Sequence, residues 1–246
     1  GFGFCDVING TDINDQLCPE LSFTGWHTGY PDATIDIQRD TVRETPFNDN
    51  SLLFLGQFQA GHRALCPRSI LSSIISKAND MGYTPQCALE YEFSVFDENL
   101  QQMHQHHFQK LKPLTHGNAG YSQLRLTAYA DFYDELLDLT EEINIPLEGL
   151  HTEIGPGVLE AAIAYDHALA AADKAALFKT YTKALAQQSE LMATFMAKWH
   201  IDQQGQGGHT HLSLLNSNHD NVFFDFNSPH NISKTMRHFI GGQQQL

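Results

Sequence analysis

The sequence predicts an α+β fold in two pieces, and three observations carry that prediction. Residues 1–62 are rich in Gly, Asp, Asn, Thr and Pro with short apolar runs between, a pattern of short strands and turns. Pro67 opens a different texture, in which Ile70, Leu71, Ile74 and Ile75 recur at helical spacing. Beyond it, β-prone runs alternate with Ala- and Leu-rich stretches, which reads as strands and helices of one larger sheet-based domain. The boundary falls near residues 62–67, giving a small β-rich piece over 1–65 and a larger one over 66–246.

The elements follow in order. Ile35–Ile37 and Leu52–Leu55 are the apolar runs of the first piece. A helix begins at Pro67, whose fixed φ suits a first turn, and stops before Gly82. Residues 88–96, ALEYEFSVF, form a strand, and Leu126–Ile143 reads as one amphipathic helix. Residues 148–154, EGLHTEI, form a strand that the glycines and proline of GPG at 155–157 break. Leu159–Lys198 is dominated by strong helix formers and holds one long helix from about Asp166, then a strand near ATFMAK. GQGG at 205–208 is a turn, and HTHLSLL at 209–215 alternates like a strand.

Composition narrows the function. The chain has 246 residues, 41% of them hydrophobic, enough for a sizeable core without disulfide staples. Fourteen basic residues stand against 29 acidic ones, a net charge of −15. Such a surface repels phosphate backbones and anionic lipid, so nucleic-acid and membrane-surface partners are disfavoured. Clustered carboxylates do suit hard divalent cations. Cys5, Cys18, Cys66 and Cys87 show no paired spacing, which argues against a zinc site or a disulfide framework and fits a reducing, cytoplasmic setting. No apolar run approaches the roughly 18 residues of a membrane span. The opening GFGFCDVING is no signal peptide and reads as a chain beginning partway through a protein.

Three segments offer chemistry. Glu90 and Glu92 alternate on a strand, so both carboxylates share a face while Leu89, Tyr91 and Phe93 point to the core. Like charges so placed destabilise a sheet by about 0.2–1 kcal/mol unless compensated, and a divalent cation would compensate them. The alternative is a solvated strand face. Glu153 and Glu160 flank GPG, a turn able to swing the second carboxylate back toward the first; the alternative is an exposed loop with two acids. His209, His211 and Ser213 share one face of the last strand, an arrangement for ligating metal or orienting an anion. Four carboxylates and two imidazoles form a mostly oxygen donor set, which suits Mg²⁺ or Mn²⁺ and phosphoryl transfer. No P-loop or kinase signature is present, so a nucleotide would be held by other means.

In order along the chain, these segments resemble the glutamine synthetase superfamily of ATP-dependent γ-glutamyl ligases. ALEYEF is similar to its ExE strand, HTEIGPGVLE to its HxE-x-x-PG-x-x-E segment, and ATFMAK with GQGGHTHLSLL to its FMAKP and GSGxHxHxSL motifs. GYPD, Pro46 and CPRSIL upstream also follow its pattern. The resemblance implies a partial N-terminal β-grasp-like domain and a partial catalytic domain of antiparallel sheet with helices. It implies that Glu92, Glu153 and Glu160 hold the metal nearer glutamate, and Glu90 and His209 the metal nearer the ATP phosphates. Gly205 would lie beside glutamate, His211 would contact phosphate, and Ser213 would lie near the nucleotide. Tyr121 would line an ammonium pocket, and Asp6 would serve it from a neighbouring subunit, although the family's GSS after that aspartate is VIN here.

The implied reaction phosphorylates the γ-carboxylate of glutamate with ATP, and an amine then displaces phosphate. The partners implied are glutamate, ammonium or another amine such as a polyamine or ethanolamine, ATP, and further copies in a ring-shaped homo-oligomer. Gln206, Gly208 and Trp199 depart from the family's motifs. The chain is expected to stop before the family's glutamate lid, arginine-rich ATP segment and last metal carboxylate. A non-catalytic family member and an amidohydrolase-type metal enzyme are the competing readings. The four carboxylates argue against the first, and the late position of HTH argues against the second.

Overall fold

A computed structural model describes residues 2–19 and 21–245, and packing divides the chain into two compact units, 1–81 and 82–246. In the first, β1 (Phe2–Cys5), β2 (Asp32–Glu44) and β3 (Leu52–Phe58) form an antiparallel sheet in sequential order. Ala33 and Ile35 alternate inward on β2 and are buried. The register between β2 and β3 shifts between Gln38 and Arg43. Thr41 bridges that irregularity: its hydroxyl donates to the Gln38 carbonyl at 2.7 Å and accepts the Leu55 N–H at 2.9 Å.

Helix α1 (Pro67–Asp80) starts on Pro67 and is followed by Gly82 at φ +84°, as its sequence requires. By packing it belongs to the first unit, beyond the composition break at 62–67. Arg68 in its first turn explains this, donating to the side-chain carbonyls of Gln38 on β2 (3.1 Å) and Gln57 on β3 (3.0 Å).

The second unit is built around β4 (Thr84–Phe96). On one side lies β6 (Val158–His167), with β5 (Leu147–Thr152) beyond it; on the other, β8 (Gly208–Leu215) pairs with the first part of β4 and β7 (Met192–Thr194) with its last three residues. All these pairings are antiparallel. After α2 (Leu100–Gln105) come α3 (Gln123–Ala128) and α4 (Ala130–Glu142), and then α5 (Ala168–Gln188), the long helix that covers one sheet face. Its Phe178 is fully buried and stacks on Tyr91, with Phe93 and Phe195 edge-on to it. Fully burying Phe178 and Phe93 contributes roughly 1.5–3 kcal/mol of transfer free energy each. The chain ends in α6 (Lys234–Gln243). Among the described residues no helix is long and apolar enough to cross a membrane, and all four cysteines are free.

One element differs from the sequence reading, and one strand goes unnamed by it. The expected helix over Leu126–Ile143 is two helices, because Tyr129 leaves the helical region at φ −126°, ψ 34°. The long helix begins at Ala168, close to the expected Asp166, and the Ala-rich Leu159–His167 ahead of it, for which the sequence reading names no element, is strand. Its helix propensity is overridden because both its edges pair, with β4 and with β5.

Candidate active site

Helix α5 takes the face of β4 that carries Tyr91 and Phe93. The opposite face therefore belongs to Glu90 and Glu92, and the register fixes their neighbours. Glu92 lies directly opposite Glu160 on β6, and Glu160 directly opposite His151 on β5. One row across three strands thus reads His151, Glu160, Glu92. In the next row Glu90 is opposite His209 on β8, and His211 follows one pair further along. His211 Nε2 stands 3.1 Å from Glu90 Oε2, and His151 Nε2 stands 3.6 Å from Glu160 Oε2.

The turn after β5 brings in the remaining acid. The Glu153 N–H donates to the Val158 carbonyl at 2.9 Å, closing the loop through Gly155 and Gly157, both at positive φ. A side chain at Gly157 would strike the Val95 carbonyl of β4, so the turn presses on the strand that carries the acids. The result is a triad of ligand atoms from His151, Glu153 and Glu160, all within 4.8 Å of one another.

The GQGG turn is bound to the same cluster. The Gly207 N–H donates to Glu92 Oε2 at 2.8 Å, and the Glu92 N–H donates to the Gly207 carbonyl at 3.1 Å. A Cβ at Gly207 would sit 2.8 Å from Glu92 Oε1 and 2.9 Å from His209 Nε2. Gln206 steadies the turn: its N–H donates to the Ala197 carbonyl at 2.7 Å, and its side-chain carbonyl accepts from Ser94 at 3.0 Å. Gly205, just before it, also lies against the Ala197 carbonyl.

Tyr121 sits at φ +55° with its N–H donating to the Thr152 carbonyl at 2.7 Å, and its ring stacks on His151 at 4.6 Å. Its phenol is held above the usual tyrosine range, first by its hydrogen bond to Glu153 and then by the charges of Glu153, Glu160 and Glu92. Ser213 is opposite Gln86 at the far end of β8. Asp6 belongs to the first unit, where it is 1% exposed. Its carboxylate accepts from the Thr24 hydroxyl at 2.7 Å and lies 3.6 Å from His62 Nε2.

The structure thus gathers Glu90, Glu92, Glu153, Glu160, His209 and His211 on one sheet face with Tyr121 beside them, and leaves Asp6 in the other unit. His151 is the member that sequence reasoning passed over. The signal was available, since His151 and Glu153 alternate as Glu90 and Glu92 do.

Burial raises the Glu160 carboxyl above its ordinary 4.5; His151 opposes this, and the charges of Glu90, Glu92 and Glu153 add to it. A carboxyl raised in the folded state binds its proton more readily there than in the unfolded chain. Its contribution to stability therefore falls as pH rises from 4.5 through the raised value. The metal-free protein should lose stability relative to its Glu160→Gln variant across that window, and Mg²⁺ should remove the difference. Urea midpoints against pH, with and without Mg²⁺, check this; a gap that narrows with rising pH in the metal-free protein contradicts it.

The donors are mostly carboxylate oxygen, with imidazole at the edge, and they already repel one another. That chemistry fits Mg²⁺ or Mn²⁺. Fold and site together describe an α+β protein with a candidate hard-cation site on the open face of an antiparallel sheet.

The chain belongs to the glutamine synthetase family: residues 64–246 match the family described as glutamine synthetase, catalytic domain. It is 39% identical to type-1 glutamine synthetase 2 of Dictyostelium discoideum, over 100% of this chain and 48% of that protein. It is 30% identical to a glutamate–isopropylamine ligase of a Pseudomonas species (100% and 54%) and 28% identical to a γ-glutamylethanolamide synthetase of Streptomyces coelicolor (97% and 52%). The chain spans about half the length of these curated relatives. Among solved structures it shares its fold with ligand-free GmaS, at a TM-score of 0.79 and 22% identity over 98% of this chain and 53% of that one.

Proposed function

We propose that the protein joins an amine to the γ-carboxylate of glutamate using ATP, through a γ-glutamyl phosphate, with ammonia as the acceptor and glutamine as the product. The observation that carries this is the single sheet face on which Glu90, Glu92, Glu153 and Glu160 converge with His209 and His211. A carboxylate attacking a polyphosphate is anion meeting anion, and that face is built to offset the repulsion. Glu92, Glu153 and Glu160 would hold one divalent ion and Glu90 and His209 a second, which when bound neutralise charge on the phosphates. His211, oriented by Glu90 at 3.1 Å, donates to phosphate. Gly205, at the head of the anchored turn, lies beside glutamate.

Tyr121 and Glu153 form the wall that receives the amine, and the carboxylate is the group there able to take its proton. Asp6 is assigned to the same side in a neighbouring copy of a ring; at 1% exposure that role requires Thr24 to release it on assembly. The four free cysteines fit a cytoplasmic protein.

An organic amine is the second reading, favoured by the relatives named for isopropylamine and ethanolamide products. Phosphate release by the full-length protein with Mg²⁺, ATP and glutamate, run with ammonium, putrescine and ethanolamine in parallel, decides between them. Release with ammonium supports glutamine synthesis. Release only with an organic amine replaces ammonia as the acceptor, and no release with any amine overturns the ligase reading.

A further inference from the structure

The first unit carries a polar cavity of about 300 Å³ that the chemistry above does not use. Asp36 and Gln38 of β2, Gln57 of β3, and Gln59 and Arg63 just beyond β3 line it. Its volume is at the lower end for small-molecule sites. Alternation puts Asp36 and Gln38 on the face of β2 opposite the buried Ala33 and Ile35. Gln57 is directly opposite Asp36. The Gln59 N–H donates to the Thr34 carbonyl at 3.0 Å, which carries the pairing one step past β3. Arg63 follows the short turn Ala60–His62.

The floor of this cavity is held by its own hydrogen bonds. Arg68 donates to the side-chain oxygens of Gln38 and Gln57, which fixes both amides. An amide whose oxygen is engaged still offers its NH₂ as a donor. The Gln59 side-chain nitrogen donates to Asp36 Oδ1, which leaves Oδ2 to accept from a ligand. Two opposite charges thus line one cavity, and among the described residues Asp36 and Arg63 form no ion pair with each other or with another side chain. A bare anion would meet the Asp36 carboxylate, and a bare amine would meet Arg63 with Arg68 nearby. A ligand carrying both charges satisfies both walls.

We propose that this cavity binds a free α-amino acid as its zwitterion, with the ammonium on Asp36 and the carboxylate on Arg63. The guanidinium fork of Arg63 suits a carboxylate held by two hydrogen bonds. The Gln57 amide meets a polar side chain of the ligand. Gln59 and Arg68 are positioning residues. The assignment uses the first unit alone and is independent of the ligase reading.

The test is calorimetric titration of the full-length protein with L-asparagine, without metal or nucleotide. Succinamate, which is asparagine without its ammonium, and L-asparaginamide, without its carboxylate, run in parallel. Wild-type protein is expected to bind asparagine about tenfold tighter than either, the worth of a charged hydrogen bond. Asp36→Asn keeps an acceptor for Gln59 and removes the charge. It and Arg63→Gln should each weaken asparagine about tenfold. Glu92→Gln should leave that affinity unchanged. No asparagine binding by wild type, equal binding of succinamate, or wild-type affinity in either cavity variant overturns the assignment. Loss of binding in Glu92→Gln moves the amino acid to the acidic face and overturns it as well.

Discussion

Glu92→Gln is expected to lower amide-forming turnover by about 10²–10³-fold while leaving the fold intact. Glu92 has two separable tasks. Its Oε2 accepts the Gly207 N–H at 2.8 Å and so holds the GQGG turn against β4. Its charge faces Glu160 across the strand pair and adds to the field that raises the Glu160 carboxyl. Glutamine keeps a carbonyl oxygen for Gly207 and removes the charge. The metal-free variant should therefore be at least as stable as wild type, because a like-charge pair worth about 0.2–1 kcal/mol is relieved. Divalent-cation affinity should fall with activity. Thermal midpoints, Mn²⁺ binding and kcat/KM measured on one preparation check the separation. Activity within threefold of wild type would remove Glu92 from the cation site.

Gly207→Ala is expected to weaken divalent-cation binding about 10–100-fold, the effect of disturbing what orients metal ligands. The added Cβ would stand 2.8 Å from Glu92 Oε1, 3.2 Å from its Cδ and 2.9 Å from His209 Nε2. These are ends of flexible side chains, so the backbone survives and the side chains move. One methyl group thus displaces proposed ligands of both ions at once. Gly208→Ala is the control, since its Cβ would meet nothing within 4 Å. Cation titrations of the two variants give the contrast; equal affinities would show that the tight fit at Gly207 has no bearing on the ions.

The cluster was legible because strand alternation is a short-range rule. Glu90 with Glu92, and His209 with His211, were each paired on a face by spacing alone, and the GPG turn allowed Glu160 to fold back toward Glu153 without excluding an exposed loop. Which strands lie side by side is a long-range property. The direct opposition of Glu92 to Glu160, and of Glu160 to His151, came from the sheet order β5-β6-β4. β6 itself was hidden by its alanines, which favour helix in isolation and are small enough to lie flat between two partner strands. The break at Tyr129 had no glycine or proline to mark it. The first unit's claim on α1 rests on Arg68 reaching two glutamines, and composition carries no trace of that contact.

The most direct test of the account follows oxygen. If the acidic face serves γ-carboxylate phosphorylation, the phosphate released by the full-length protein must carry one oxygen from that carboxylate. Glutamate labelled with ¹⁸O in its γ-carboxylate, incubated with ATP, Mg²⁺ and the accepted amine, should give singly labelled phosphate, with release lost in Glu92→Gln. Unlabelled phosphate, or release that does not need glutamate, would contradict it.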